Sequence, residues 1–169
     1  MQALLRQDKR GLVACHGFQT RASLVRTESF GSVRLASADP LKPPVIDQNY
    51  LANPDELMAL RAAVRIMRRI CEAPAFDPYR GKELAPGPEV TSDEEIDAFV
   101  RANAEPDYHT VGTCRMGKDP LAVVDTEFRV HGVTGLRVVD AAVMPRIVDC
   151  GTCLPTIMLA ERAAAAILP

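Results

Sequence analysis

Histidine and cysteine are the side chains of this 169-residue chain best suited to proton transfer, thiol chemistry or metal binding. His109 is the strongest candidate. It follows Pro106 and Tyr108 and precedes the small, polar run Thr110–Thr113. A histidine in a Gly/Thr-rich loop is free to face a ligand, and imidazoles titrate near neutral pH, which suits general acid–base work. Taken alone, such a residue reads first as a surface or hydrogen-bonded structural histidine, and only second as a base. His16, in an expected strand, and His131, beside the turn glycine Gly132, default to structural roles.

Cys150-Gly151-Thr152-Cys153 is a C-x-x-C stretch ahead of an expected helix, a place where a thiolate is stabilised. A thioredoxin-like redox pair is one reading. That type of site starts its helix at the first cysteine inside a βαβ frame, whereas here the helix is expected about five residues later. A zinc site from His109, Cys114, Cys150 and Cys153 is another, although it offers only one compact pair where structural zinc sites show two. The five cysteines, Cys15, Cys71, Cys114, Cys150 and Cys153, are odd in number and widely scattered. That pattern argues for free thiols in a reducing, cytoplasmic setting and against a secreted disulfide framework.

Composition narrows the remaining classes. A net charge of -2 leaves no nucleic-acid footprint, and 5% aromatic residues without tryptophan leave no base-stacking platform. No run of about 18 apolar residues is present, so no transmembrane segment is expected. The first ten residues place charges after a very short apolar patch, the reverse of a signal peptide.

Several elements must position these groups. Gly31–Pro40 reads as a strand with Val33 and Leu35 on one face and Arg34 on the other. Residues 11–26 alternate weakly, with Val13 and Val25 as β-branched members. Lys42-Pro-Pro-Val-Ile46 reads as an extended linker. Asn53 can cap a helix opened by Pro54 and supported by Glu56, in which Leu57, Leu60, Val64, Met67 and Cys71 form one stripe. Arg61, Arg65, Arg68 and Arg69 fall off that stripe and read as a solvated face, or as a basic patch for an anionic partner. Pro74 bounds the helix. Residues 77–90 read as an irregular loop, and Ser92 with Glu95 forms a capping box for a short helix through Val100 that stops before Pro106. Phe128–His131 and Leu136–Val139 are strand candidates joined by a Gly132–Gly135 turn. Pro155 should start a final, alanine-rich helix over 156–168. The irregular mixture of strands and helices predicts an α+β fold.

The ordered run 107–164 resembles the C-terminal signature of the glucose-methanol-choline (GMC) family of FAD-dependent alcohol oxidoreductases. It comprises Tyr108-His109-Thr-Val-Gly112-Thr113-Cys114, Phe128-Arg-Val-His-Gly132, Leu136-Arg-Val-Val-Asp140-Ala141 and Pro155-Thr156-Ile-Met-Leu-Ala160. His16-Gly-Phe18, Ser37-Ala-Asp-Pro40, Asn49-Tyr-Leu51 and Asp77-Pro-Tyr-Arg-Gly81 extend the likeness to the choline dehydrogenase-like branch.

The resemblance implies that residues 1–106 belong to the substrate-binding domain, with a mixed or antiparallel sheet and helices on one face. It implies that 107–169 form the catalytic, flavin-contacting segment, ending in a helix that returns to the FAD domain. His109 would accept the hydroxyl proton of a small alcohol as hydride passes to FAD. Asp140 and the Ala141 backbone would approach the ribityl-pyrophosphate portion. Pro155 and Thr156 would place a helix N-terminus against the flavin ring, where its partial positive charge favours the reduced form.

Two departures accompany the likeness. Gly151 stands where the family carries an Asn or His, so the second polar role passes to no residue. No G-x-G-x-x-G follows a strand and opens a helix, so the FAD-binding Rossmann part is expected in an N-terminal portion or another chain that this sequence does not include. The alanine-rich helix would then seek a partner surface, possible in a homo-oligomer. The alternatives at this stage are a non-catalytic remnant without cofactor and the redox or zinc module above.

Overall fold

The computed structural model describes residues 7–8, 11–12 and 16–168, with side chains from His16 onward. Strands β1 (Gln7–Asp8) and β2 (Gly11–Leu12) pair antiparallel. Val13 and Cys15 lie outside the described residues, and no strand continues through 16–26. The chain divides into two compact units. One combines residues 1–24 and 53–104; the other combines 25–52 and 105–169.

The first unit is built around helices α1 (Pro54–Cys71) and α2 (Asp93–Asn103), which pack on each other. Local chemistry explains both. Asn53 has extended backbone and its side chain accepts the Asp55 amide at 3.0 Å, while Pro54 needs no amide of its own. Asp55 and Glu56 sit at the positive end of α1, and Arg68 and Arg69 at the negative end. Pro74 opens a short 3₁₀ turn, Pro74–Phe76, and Phe76 stacks on Phe18 with ring centroids 5.3 Å apart. In α2 the expected capping box is complete: Ser92 Oγ accepts the Glu95 amide, and Glu95 accepts the Ser92 amide. Leu57 and Val64 are buried on α1, and Ile96 and Val100 on α2.

The arginine face of α1 is in part the expected solvated surface, with Arg65 and Arg69 exposed, but Arg61 and Arg68 are half-buried. Arg61 grips Asp97 with two bonds, at 2.7 and 2.8 Å, and also bonds Asp93. Arg65 joins it on Asp93. Arg68 donates to Glu83 and to the carbonyls of Gly87 and Val90, closing the loop between the helices. Guanidinium groups with planar forks suit this bidentate work, and they tie α1 to α2 and to the loop before it.

In the second unit, β3 (Ser32–Arg34) pairs antiparallel with β4 (Val45–Asp47) in the register Ser32↔Asp47, Val33↔Ile46, Arg34↔Val45. The strand expected over 31–40 is therefore shorter, and the segment expected as a linker supplies its partner. A hairpin ladder forms once Pro43 and Pro44 are passed, because the residues after them again have free amides. Gly31 is required here: a Cβ would fall 2.1 Å from the Asp47 carbonyl oxygen.

The rest of this unit is turn-built. The strands expected at 128–131 and 136–139 reduce to isolated bridges, Val124↔Val130 and Arg129↔Arg137. Asp125 is the local organiser, accepting the amides of Glu127 and Arg129 and the Arg129 guanidinium. Helix α3 spans Cys153–Ile167 and so begins two residues before Pro155. Val124, Phe128, Val143 and Ala163 form the core, with Met116, Val138 and Leu159 against it. Thus α3 does find a surface in this unit, through Leu159 and Ala163. Its other side leaves Leu154, Ile157, Met158 and Ile167 exposed. The fold class is α+β, with antiparallel strand pairs and three α-helices among the described residues. Among the described residues no helix is long and apolar enough to cross a membrane.

Candidate functional site

His109 is aimed by an unusual backbone. Tyr108, just before it, has φ +60°, a left-handed conformation uncommon in a bulky residue. Gly112, just after, has φ +88°, and a Cβ there would come within 3.4 Å of the Met144 carbonyl oxygen. The chain then runs alongside residues 142–144, with the Cys114 amide donating to the Ala142 carbonyl and the Met116 amide to that of Val143. The loop carrying His109 is thus pinned five to seven residues after the histidine, at Cys114 and Met116.

The half-buried imidazole reaches the start of α3. Its Nδ1 lies 2.9 Å from Oγ1 of Thr152, the residue at the N-cap position of this helix. Gly151 sits against the other edge of the ring: a Cβ built there would be 3.8 Å from both Cε1 and Nε2, an ordinary contact distance. His109, Gly151, Thr152 and the first turn of α3 therefore form one constellation on an exposed face.

The other expected residues fall around it. Asp140 is exposed and accepts the Ala142 amide at 2.7 Å, capping the 3₁₀ turn Ala141–Val143. That turn is attached to the His109 loop through the bond between Cys114 and Ala142. Pro155 is the third residue of α3 and borders an open apolar depression of about 200 Å³ with Met116, Val143, Met144, Val148 and Met158. Thr156 turns its hydroxyl back to the Thr152 carbonyl at 2.7 Å. His131 is structural, its Nε2 donating to the Gly117 carbonyl at 3.1 Å. His16 is exposed and lies in no strand.

One sequence reading loses ground here. Cys71, Cys114, Cys150 and Cys153 are free, and among the described residues no three His, Cys, Asp or Glu side chains form a metal-binding group. The zinc set of His109, Cys114, Cys150 and Cys153 is therefore not assembled. Thr152 is the residue that sequence reasoning passed over. Placing the helix start at Pro155 hid it three residues upstream of the supposed first turn. A threonine opening a helix whose third residue is proline was the available signal.

The arrangement can hold an imidazole beside an uncapped helix start, since no side chain caps α3. The positive dipole end of the helix thus lies next to the imidazole. This is a layout for removing a proton from a ligand while favouring negative charge close by.

The chain is similar to known proteins over most of its length. The family model for the C-terminal domain of GMC oxidoreductases matches residues 27–160. The chain is 49% identical over 155 residues to the oxygen-dependent choline dehydrogenase of Chromohalobacter salexigens, covering 92% of this chain and 28% of that protein. It is 51% identical over 152 residues to the enzyme of that name from Paraburkholderia phymatum, covering 90% and 27%. Among solved structures, the pyridoxine 4-oxidase from Mesorbium loti superimposes with a TM-score of 0.77 at 33% identity, covering 85% of this chain and 28% of that one. An Aspergillus oryzae formate oxidase gives 0.79 at 33%, covering 85% and 26%. The chain thus spans little more than a quarter of the length of the relatives it matches.

Proposed function

Because this chain belongs to the GMC oxidoreductase family, as its C-terminal portion, we propose that it forms the substrate-side part of an FAD-dependent dehydrogenase. The reaction is oxidation of a primary alcohol to an aldehyde. The observation that carries this reading is the meeting of His109 with the start of α3 at Thr152. FAD, when bound, supplies the hydride acceptor. His109 takes the hydroxyl proton through Nε2, the ring nitrogen that Thr152 leaves unengaged. The open space over Gly151 admits the carbinol group to that nitrogen.

The residues present suit the cofactor. The uncapped start of α3 offers outward amides and positive potential to a group that gains negative charge. The exposed Asp140 turn presents a carboxylate and backbone on the same unit, suited to the ribityl side. The adenine and pyrophosphate portion would be held by polypeptide outside this sequence. The exposed apolar side of α3, with Leu154, Ile157, Met158 and Ile167, is the surface on which that polypeptide would rest. A cytoplasmic setting belongs to the same reading, on the free thiols of Cys71, Cys114, Cys150 and Cys153.

The test is anaerobic reduction of the flavin by simple primary alcohols in the full-length protein. His109→Ala should slow it by about 10²–10⁴ without loss of bound flavin, the range for removing a positioned base. A variant that reduces its flavin as fast as the parent would refute the assignment.

A further inference from the structure

Thr152 occupies a position whose hydroxyl normally has another duty. A threonine at a helix N-cap accepts the amide of the second or third helical residue. In α3 the third residue is Pro155, which has no amide proton. Thr152 also departs from the usual extended backbone of a cap, with φ -73° and ψ -9°, and makes no side-chain capping bond. Its hydroxyl is instead 2.9 Å from Nδ1 of His109, in a residue only 7% exposed. The proline at the third position removes one of the two competing donors, and the turned backbone accompanies an Oγ1 that meets the imidazole instead.

We propose that Thr152 is a positioning residue for His109: its hydroxyl accepts the Nδ1–H and so holds Nε2 unprotonated toward the open space at Gly151. The proposal rests on the reading of His109 as the base. A neutral imidazole carries one proton, and a base that takes a proton at Nε2 must carry that proton on Nδ1. Thr152 is the side chain that meets Nδ1, and with its hydroxyl as the acceptor the tautomer and the ring plane are held together. The geometry assigns it no contact with substrate; it acts through the imidazole. Loss of the contact would let the ring turn and would populate the Nε2–H form, which cannot accept the proton from that side.

The protein carries its own reference for the test. His131 has Nε2 against a backbone carbonyl, which can only accept, so its Nε2 is protonated. In histidine labelled with ¹⁵N, the imidazole shifts of His109 and His131 should therefore show opposite tautomers. Thr152→Val should move His109 toward the His131 pattern, and Thr152→Ser should keep the parent pattern. In the full-length, flavin-containing protein, Thr152→Val should lower the rate of flavin reduction on the order of 10-fold or more, a smaller loss than the roughly 10⁴ seen when a buried carboxylate that orients a catalytic histidine is neutralised. Thr152→Ser should restore most of that rate. His109 found with its proton on Nε2 in the parent overturns the proposal. So does a Thr152→Val variant with tautomer and rate both unchanged. If His109→Ala leaves the rate intact, the base role itself fails, whichever tautomer is observed. If His109→Ala is slow but the tautomer is wrong, only the role of Thr152 falls.

Discussion

The two units of this chain reach order by different means. The unit containing residues 53–104 is made of helices whose starts are chemically marked and whose flanks are locked by Arg61, Arg65 and Arg68. The unit containing residues 25–52 and 105–169 has, among the described residues, one α-helix and the β3–β4 pair; its segment 105–152 hangs on turns, isolated bridges and left-handed residues such as Tyr108 and Phe128. The candidate chemistry lies in the second. Turn-built backbone can aim a side chain along directions that a helix or strand does not offer, and it spends local strain to do so.

The sharpest way to break this contrast is at the core of the turn-built unit. Phe128 is 1% exposed and has φ +67°, so Phe128→Ala should cost about 3–5 kcal/mol. Amide exchange followed by mass spectrometry should then show lost protection across 107–168 before 54–103. Equal loss in both segments would mean that the two units unfold as one.

A smaller effect tests the site. A Cβ at Gly151 would meet only the edge of the His109 ring, at ordinary contact distance. Gly151→Asn should therefore be accommodated and should raise the rate of flavin reduction in the full-length protein by roughly 10-fold, part of what a positioned hydrogen-bond donor supplies. An unchanged or lower rate would show that the open space is used by the substrate itself.

The helical unit should respond differently. Ser92→Ala removes the capping box of α2 and should destabilise that helix by about 1 kcal/mol, while the ¹⁵N signature of His109 stays fixed. A shift at His109 would show coupling between the units.

The gentlest probe is acid. The Arg129 guanidinium bonded to Asp125, with the backbone amides of Arg129 and Glu127, holds that carboxyl down to about 2, below its ordinary 3.8. Arg115, with the Leu121 amide, does the same for Asp119, also to about 2. A depressed folded value gives stability that is complete above the ordinary carboxylate range and is lost as pH falls through about 2. Carboxyl ¹³C titration should show both groups ionised at pH 3. Midpoints near 4 would mean that these turns are not formed as described.

The contrast also explains what the amino-acid order revealed. α1 and α2 were legible because caps, prolines and apolar stripes act within a few residues. The clasp of Arg61 on Asp97 was not, since it joins positions 36 apart and depends on how two helices meet. In the second unit, Gly112 and the His109 loop could be singled out. The bridges that replace the expected strands at 128–131 and 136–139 could not, because each is one pairing set by distant segments. The start of α3 was misread by two residues, as proline commonly opens a helix and here sits in its third position. That shift is what concealed Thr152.

The most direct test of the site is a double-mutant cycle on flavin reduction in the full-length protein, using His109→Ala and Thr152→Val. Residues that act as one unit give strongly non-additive effects. Thr152→Val should slow the parent and leave the His109→Ala background unchanged. Equal slowing in both backgrounds would show that the hydroxyl at the start of α3 works independently of the imidazole and would contradict the account.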